Sequence, residues 1–198
     1  AAPHVRVAAA ALVGSLCKDC SHDLSPFHPA LLSSLVGMLH AEQPAVLRAG
    51  VSALDQLVKS LPKERYPLHV SWLRQQVQEV SAEHRQRQLA LGTSPSEPTH
   101  LPAFTLQGGI GPLVVVHLQG LMTGSPELRE EAAAALGEVI NLTPISILKP
   151  YVIQITGPLI RIVGDRFPWG VKAAILEVYA RADRISGRDC CLLAALHA

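Results

Sequence analysis

One segment recurs along the chain: a turn with Pro or a polar residue, an aliphatic residue, usually a basic residue, then an Ala-rich amphipathic run. It appears at Pro3-His4-Val5-Arg6 followed by 8–16, at Pro44-Ala45-Val46-Leu47-Arg48 followed by 49–57, and at Pro126-Glu127-Leu128-Arg129 followed by 132–140. A fourth copy runs from Trp169-Gly170-Val171-Lys172 into 173–179. Aligned on Val5, Val46, Leu128 and Val171, the copies are separated by 41, 82 and 43 residues. The middle interval is twice 41, so a unit of about forty residues repeats with one copy degenerate.

Each copy after the first is preceded by another stretch with helical spacing: 26–39, 110–122 and 148–163. Two helices per forty residues is the unit of an all-α solenoid of HEAT repeats, an armadillo-like superhelix whose core lies between neighbouring units. Composition agrees. Hydrophobic residues make up 48% of the chain and aromatics 4%, so Ala, Leu, Val and Ile supply the apolar surface, as closely packed helices require. Helix starts are signalled as well: Ser125 is placed to accept from free amides, Pro126 suits the first helical position, and Glu127, Glu130 and Glu131 complement the helix dipole.

The pattern divides the chain at its irregularities. Residues 1–81 read as HEAT-type helices beginning within a repeat, the piece of a longer protein. The degenerate unit has a first helix over 67–81. Next, Glu83-His84-Arg85-Gln86-Arg87-Gln88 is polar all round, and Pro95, Pro98 and Pro102 follow, which predicts a polar, Pro-rich, mobile loop over 82–107. Two further repeats occupy 108–182, and 183–198 forms an atypical end in which Asp183, Arg184, Gly187 and Arg188 interrupt the apolar period.

Charge and motifs narrow the function. Seventeen Lys and Arg against sixteen Asp and Glu give +1, without the basic field of a nucleic-acid-binding domain. The longest apolar stretch, 145–163, contains Lys149, Pro150, Gly157, Pro158 and Arg161, which argues against a membrane span. Cys17-Lys-Asp-Cys20 has the spacing of redox pairs and zinc knuckles, with His22 and His28 behind it, but no second pair matches it. At a helix end, such cysteines serve as small apolar residues. Adjacent Cys190 and Cys191 project in different directions. Four cysteines suit a reducing compartment and hence the cytoplasm. The nine histidines form neither a metal motif nor a triad, so most are expected in solvent, with His117 in a satisfied core role. Gly108-Gly109-Ile110-Gly111 lacks the Lys and Ser or Thr of a phosphate loop and reads as a turn before a helix. No residue set points to catalysis, a cofactor, a metal or a small-molecule substrate.

Two charged features remain. Arg6, Arg129 and Lys172 share one repeat position and are expected to reach acidic groups in neighbouring turns, Asp165 among them, fixing how units stack. Glu127, Arg129, Glu130, Glu131, Arg161 and Arg166 together offer a charged partner-binding surface across the last two units. Arg85 and Arg87 offer phosphate contacts to RNA, against the plainer reading of a solvated insertion.

The nearly continuous stretch from Leu101 to Glu177 carries a more specific signal, above all Ile155-Thr-Gly-Pro-Leu-Ile-Arg-Ile-Val-Gly-Asp-Arg-Phe167 and the Ser125-Pro-Glu-Leu-Arg-Glu-Glu run. It resembles the very large ribosome-associated HEAT-repeat activators of the general amino-acid control kinase. The resemblance implies a cytoplasmic, non-catalytic scaffold that contacts ribosomes, with ribosomal RNA the one that the basic residues Arg85 and Arg87 would meet. It also implies binding to the RWD domain of a kinase that phosphorylates initiation factor 2 alpha in amino-acid starvation. Fold alone leaves two alternatives, a transport receptor or phosphatase scaffold, and an enzyme centred on Cys17 and Cys20.

Overall fold

Three helices start at the prolines that lead the repeat: α1 (Pro3–Asp19), α3 (Pro44–Ser60) and α6 (Pro126–Asn141). Proline is well placed there, because a first-turn N–H has no intrahelical partner to lose. Ser125 caps α6, its hydroxyl accepting from the Leu128 N–H at 3.4 Å. The remaining α-helices are α2 (His28–Val36), α4 (Tyr66–Ala90), α5 (Gly111–Thr123), α7 (Ile145–Leu148) and α8 (Val152–Gly164). This computed structural model describes residues 2–20, 24–92 and 100–164, and then 169, 170, 172, 173 and 176, which are helical. Among the described residues there is no strand, and the chain is an all-α HEAT solenoid.

Stacking follows from small residues on the facing sides. α1 lies along α3, where a Cβ added at Gly14 would stand 3.4 Å from Cα of Ala53, and Ala10, Cys17 and Ala53 are all buried. Such side chains let ridges of one helix settle close into grooves of the next. α5 approaches α4 so closely at Gly120 that an added Cβ would lie 2.5 Å from Cγ2 of Val70. Leu113, Val116 and Leu121 of α5 and Ala132, Leu136 and Val139 of α6 then complete the core of that unit.

The degenerate unit departs from expectation. α4 does not stop near residue 81 but runs to Ala90, so 82–90 of the expected loop is helix. Glu, Gln, Arg, Ala and Leu are strong helix formers, and a helix that is polar over several turns persists when ion pairs hold it. Here Glu83 reaches His40 at 3.7 Å, Arg87 reaches Glu42 at 3.9 Å, and His84 is buried. The far end of the expected loop is also ordered by packing. Pro102–Thr105 forms a 3-10 turn in which Leu101, Ala103 and Phe104 are fully buried. The Ala103 N–H donates to Leu39 O at 3.0 Å and the Leu101 N–H to Leu142 O at 3.1 Å, tying this plug to the units on either side.

After α6 the expected helix over 148–163 is divided. Lys149–Tyr151 is a 3-10 turn at Pro150, and α8 carries Pro158 in its interior. The atypical end over 183–198, with Cys190 and Cys191, lies outside the described residues, as do Asp165 and Arg166.

Candidate protein-interaction cleft

Helical spacing sets one row of side chains on α6: Glu127, Glu131, Ala134 and Glu138 at i, i+4, i+7 and i+11, with Glu130 beside it. α4 lies across this row. Between them, and bounded by Gly170 and Ala173 of the last helical residues, is a cleft of about 550 Å³ lined by Glu127, Glu130, Glu131 and Arg74. The Glu130 carboxylate approaches Gly170 so closely that a Cβ there would lie 2.5 Å from Oε2. The Ser71 hydroxyl donates to Glu131. Trp169, largely exposed, stands next to this wall.

Arg74 does not neutralise the three lining carboxylates, because Glu138 holds it. Its Nε and Nη2 donate to Glu138 Oε1 at 3.0 and 2.8 Å, and Gln78 Nε2 donates to the same oxygen at 2.9 Å. No ion pair joins Glu127, Glu130 or Glu131 to a described cation. Hydrogen bonds from the Glu127 N–H and from Ser125 hold the Glu127 carboxyl below the usual range. The described lining of the cleft therefore carries net negative charge near neutral pH.

Beneath this surface His117 of α5 is fully buried, and neither ring nitrogen has a hydrogen-bond partner among the described residues. Burial, assisted by the Arg74 guanidinium, pushes its pKa down to about 4. The expected core position is thus correct, and among the described residues no side chain or backbone group partners the ring. His28 and His84, expected in solvent, are buried too.

The other sequence candidates fall elsewhere. Asp165, the acid expected for Arg129, lies outside the described residues, and Arg129 donates from Nε to Gly124 O at 2.7 Å and from Nη1 to Leu121 O at 2.8 Å. It thereby satisfies carbonyls at the end of α5, the chemistry a helix C-terminus calls for. Arg161 is exposed on α8 and does not line the cleft. Arg166 lies outside the described residues. Arg85 and Arg87 sit on the last turns of α4 and not in a loop. Cys17 is buried in the α1 core with its pKa raised by burial, and Cys20 follows the end of α1; neither is in a disulfide. Among the described residues no group of three or more His, Cys, Asp or Glu side chains is placed to hold a metal ion. No described helix is long and apolar enough to cross a membrane. Gly108 takes φ +82° in the turn that opens α5, as the glycine-rich run predicts.

Sequence reasoning missed Arg74 and Glu138. Glu138 falls on the same helical row as Glu127 and Glu131, which was a usable signal, but the partner on α4 depends on tertiary packing.

Comparison with known proteins fits this architecture. The family described as "Stalled ribosome sensor GCN1-like, HEAT repeats" matches residues 1–108. The chain is 40% identical over 172 residues to Protein ILITYHIA of Arabidopsis thaliana and 37% over 174 residues to the human Stalled ribosome sensor GCN1. Each match covers 87% of this chain and 6% of the relative. The eIF-2-alpha kinase activator GCN1 of Saccharomyces cerevisiae is 35% identical over 154 residues, covering 78% of this chain and 5% of that protein. The chain thus spans about one-twentieth of the length of these relatives. No solved structure matches it at a significant level. With helical pairs stacked at the repeat interval and these identities over most of its length, the chain belongs to the GCN1-like family of HEAT-repeat proteins.

Proposed function

We propose that this chain is a length of a non-catalytic cytoplasmic scaffold that links translating ribosomes to a kinase acting on initiation factor 2 alpha. The α4–α6 cleft is its working surface and receives a basic face of a protein partner. The RWD domain of the kinase is the partner we assign to it. The supporting observation is the set of three carboxylates, Glu127, Glu130 and Glu131, that no cation among the described residues pairs with while Arg74 is engaged by Glu138. Complementary charge across an interface raises encounter rate and selects partners, at a strength that falls with salt. An RNA phosphate backbone would be repelled here, so the reading favours protein over nucleic acid at this site.

The test is capture of the isolated RWD domain by the full-length protein carrying Glu127→Lys, Glu130→Lys and Glu131→Lys together. Capture should fall sharply while ribosome co-sedimentation is retained. Undiminished capture by a folded triple variant rejects the cleft. Absence of capture by the unaltered protein in both low and moderate salt removes the kinase contact altogether.

A further inference from the structure

The degenerate unit leaves a second opening on the other side of the plug. Among the described residues, the place of its second helix is taken by the four-residue turn Pro102–Thr105. At about 2 Å per residue that turn spans roughly 8 Å. α3, with 17 residues, is about 25 Å long at 1.5 Å per residue, so among the described residues the turn spans only part of its length. There, from Arg48 to Asp55, α3 faces a cleft of about 520 Å³ closed on the far side by Leu106, Gly111 and Tyr151.

Its lining has a definite chemistry. Val51 and Leu106, both partly buried against the core, and the Tyr151 ring form an apolar floor. The ring can lie there because residue 111 is glycine: a Cβ would stand 3.2 Å from the Tyr151 hydroxyl oxygen. The one acid of the lining, Asp55, is paired with Lys59 at 2.6 Å. Arg48 is exposed, and no hydrogen bond or ion pair joins it to another described residue. The hydroxyl of Ser52 and the amide of Gln107 complete the polar rim.

We infer that this cleft docks an acidic-aliphatic peptide segment of a protein partner, a carboxylate meeting Arg48 and the adjacent aliphatic side chain entering between Val51, Leu106 and Tyr151. Charge complementarity selects this occupant. An RNA strand gains affinity by neutralising several phosphates, and one cation beside Asp55 cannot do that. A basic segment finds its only acid already paired, and a wholly apolar one leaves Arg48 without a partner. The site is separate from the α4–α6 cleft and does not depend on the partner assigned there.

The experiment is titration of the full 198-residue chain, followed by its amide and Arg side-chain NMR signals. The probes are an eight-residue peptide alternating Glu with Leu, its Lys-for-Glu counterpart, and a twelve-nucleotide oligouridylate. The Glu/Leu peptide alone should shift Arg48, Gly108 and Gly111. Arg48→Glu, at an exposed position, should weaken its binding about ten-fold, as expected for removing one charge pair and adding a repulsion. Ser52→Trp, which fills the cleft and keeps the charge, should abolish the shifts with an unchanged melting curve. The inference is overturned by equal shifts with the Lys/Leu peptide, by shifts with the oligouridylate instead, or by none at millimolar peptide. It is equally overturned by binding that survives both substitutions, or by cleft shifts that grow with protein concentration without peptide, which would make a second copy the occupant.

Discussion

The main-chain N–H of Ala103 donates to the carbonyl of Leu39 at 3.0 Å, joining a four-residue turn to the end of α2 across more than sixty residues of sequence. A buried carbonyl past a helix end needs a partner. The plug supplies it, and with the Leu101 N–H on Leu142 O it joins the units before and after the irregular one. A solenoid is stable through its nearest-neighbour interfaces, so a link across an irregular unit keeps the array continuous.

Phe104→Ala should therefore act as a core mutation despite its place between helices. Its side chain is fully buried, and truncating such a residue costs about 3–5 kcal/mol. Leu106→Ala, at a partly buried position, should cost clearly less. Chemical denaturation of the two variants compares them, and equal small losses would show that the plug contributes little.

Leu136 has no exposed surface, on the face of α6 turned away from Glu127 and Glu131. Leu136→Asp should uncouple α6 from its neighbours, since burying an unpaired polar group costs about 1–3 kcal/mol and a charge more. Asn141→Asp, at an exposed position of the same helix, is the control. Thermal melting by circular dichroism should separate the two; coincident curves would contradict the assigned core.

What was legible in the sequence had a local cause. Pro3, Pro44 and Pro126 mark helix starts through their own backbone chemistry, and Leu136 follows from helical periodicity. The carboxylates at 127, 130 and 131 share a face by spacing alone. What was misread had a distant cause. Residues 82–90 look unable to order themselves until Glu42 and His40 come within reach of Arg87 and Glu83. Phe104 sits in a Pro-punctuated stretch whose partners, the ends of α2 and α6, lie about forty to sixty residues away on either side. Arg129 donates from Nε and Nη1 to carbonyls at the end of α5, which a reading of repeat position alone did not foresee, and Asp165, its expected acid, lies outside the described residues.

The Arg74–Glu138 bridge joins α4 to α6, with side chains 28% and 23% exposed. A double-mutant cycle with Arg74→Met and Glu138→Gln should give a coupling energy of about 1–3 kcal/mol, as for contacting residues in one network. The same cycle on Lys59 and Asp55, 67% and 35% exposed, should give at most about 1 kcal/mol. Equal couplings would mean that partial burial adds nothing to the bridge.

His117 connects stability to pH. In the fold its pKa is lowered to about 4 from an ordinary 6.5, first by burial and then by the Arg74 cation, so the ring is neutral. Between those values the unfolded chain takes up a proton that the folded chain refuses. The contribution is therefore fully present above pH 6.5 and is lost as pH falls towards 4, at most about 3 kcal/mol from about 1.4 kcal/mol per pKa unit. His40, His69 and His84, all lowered chiefly by burial, add slope in the same direction. His117→Leu removes two nitrogens without a partner among the described residues along with the titrating group, and replacing an unsatisfied polar side chain by an apolar one is neutral or stabilising at neutral pH. Denaturation midpoints at pH 7.5, 6.5, 5.5 and 4.5, values chosen to bracket that window, should fall for both proteins and less steeply for the variant. Parallel profiles would mean that the buried ring finds a proton acceptor in the fold, so that its charge costs no more there than in water.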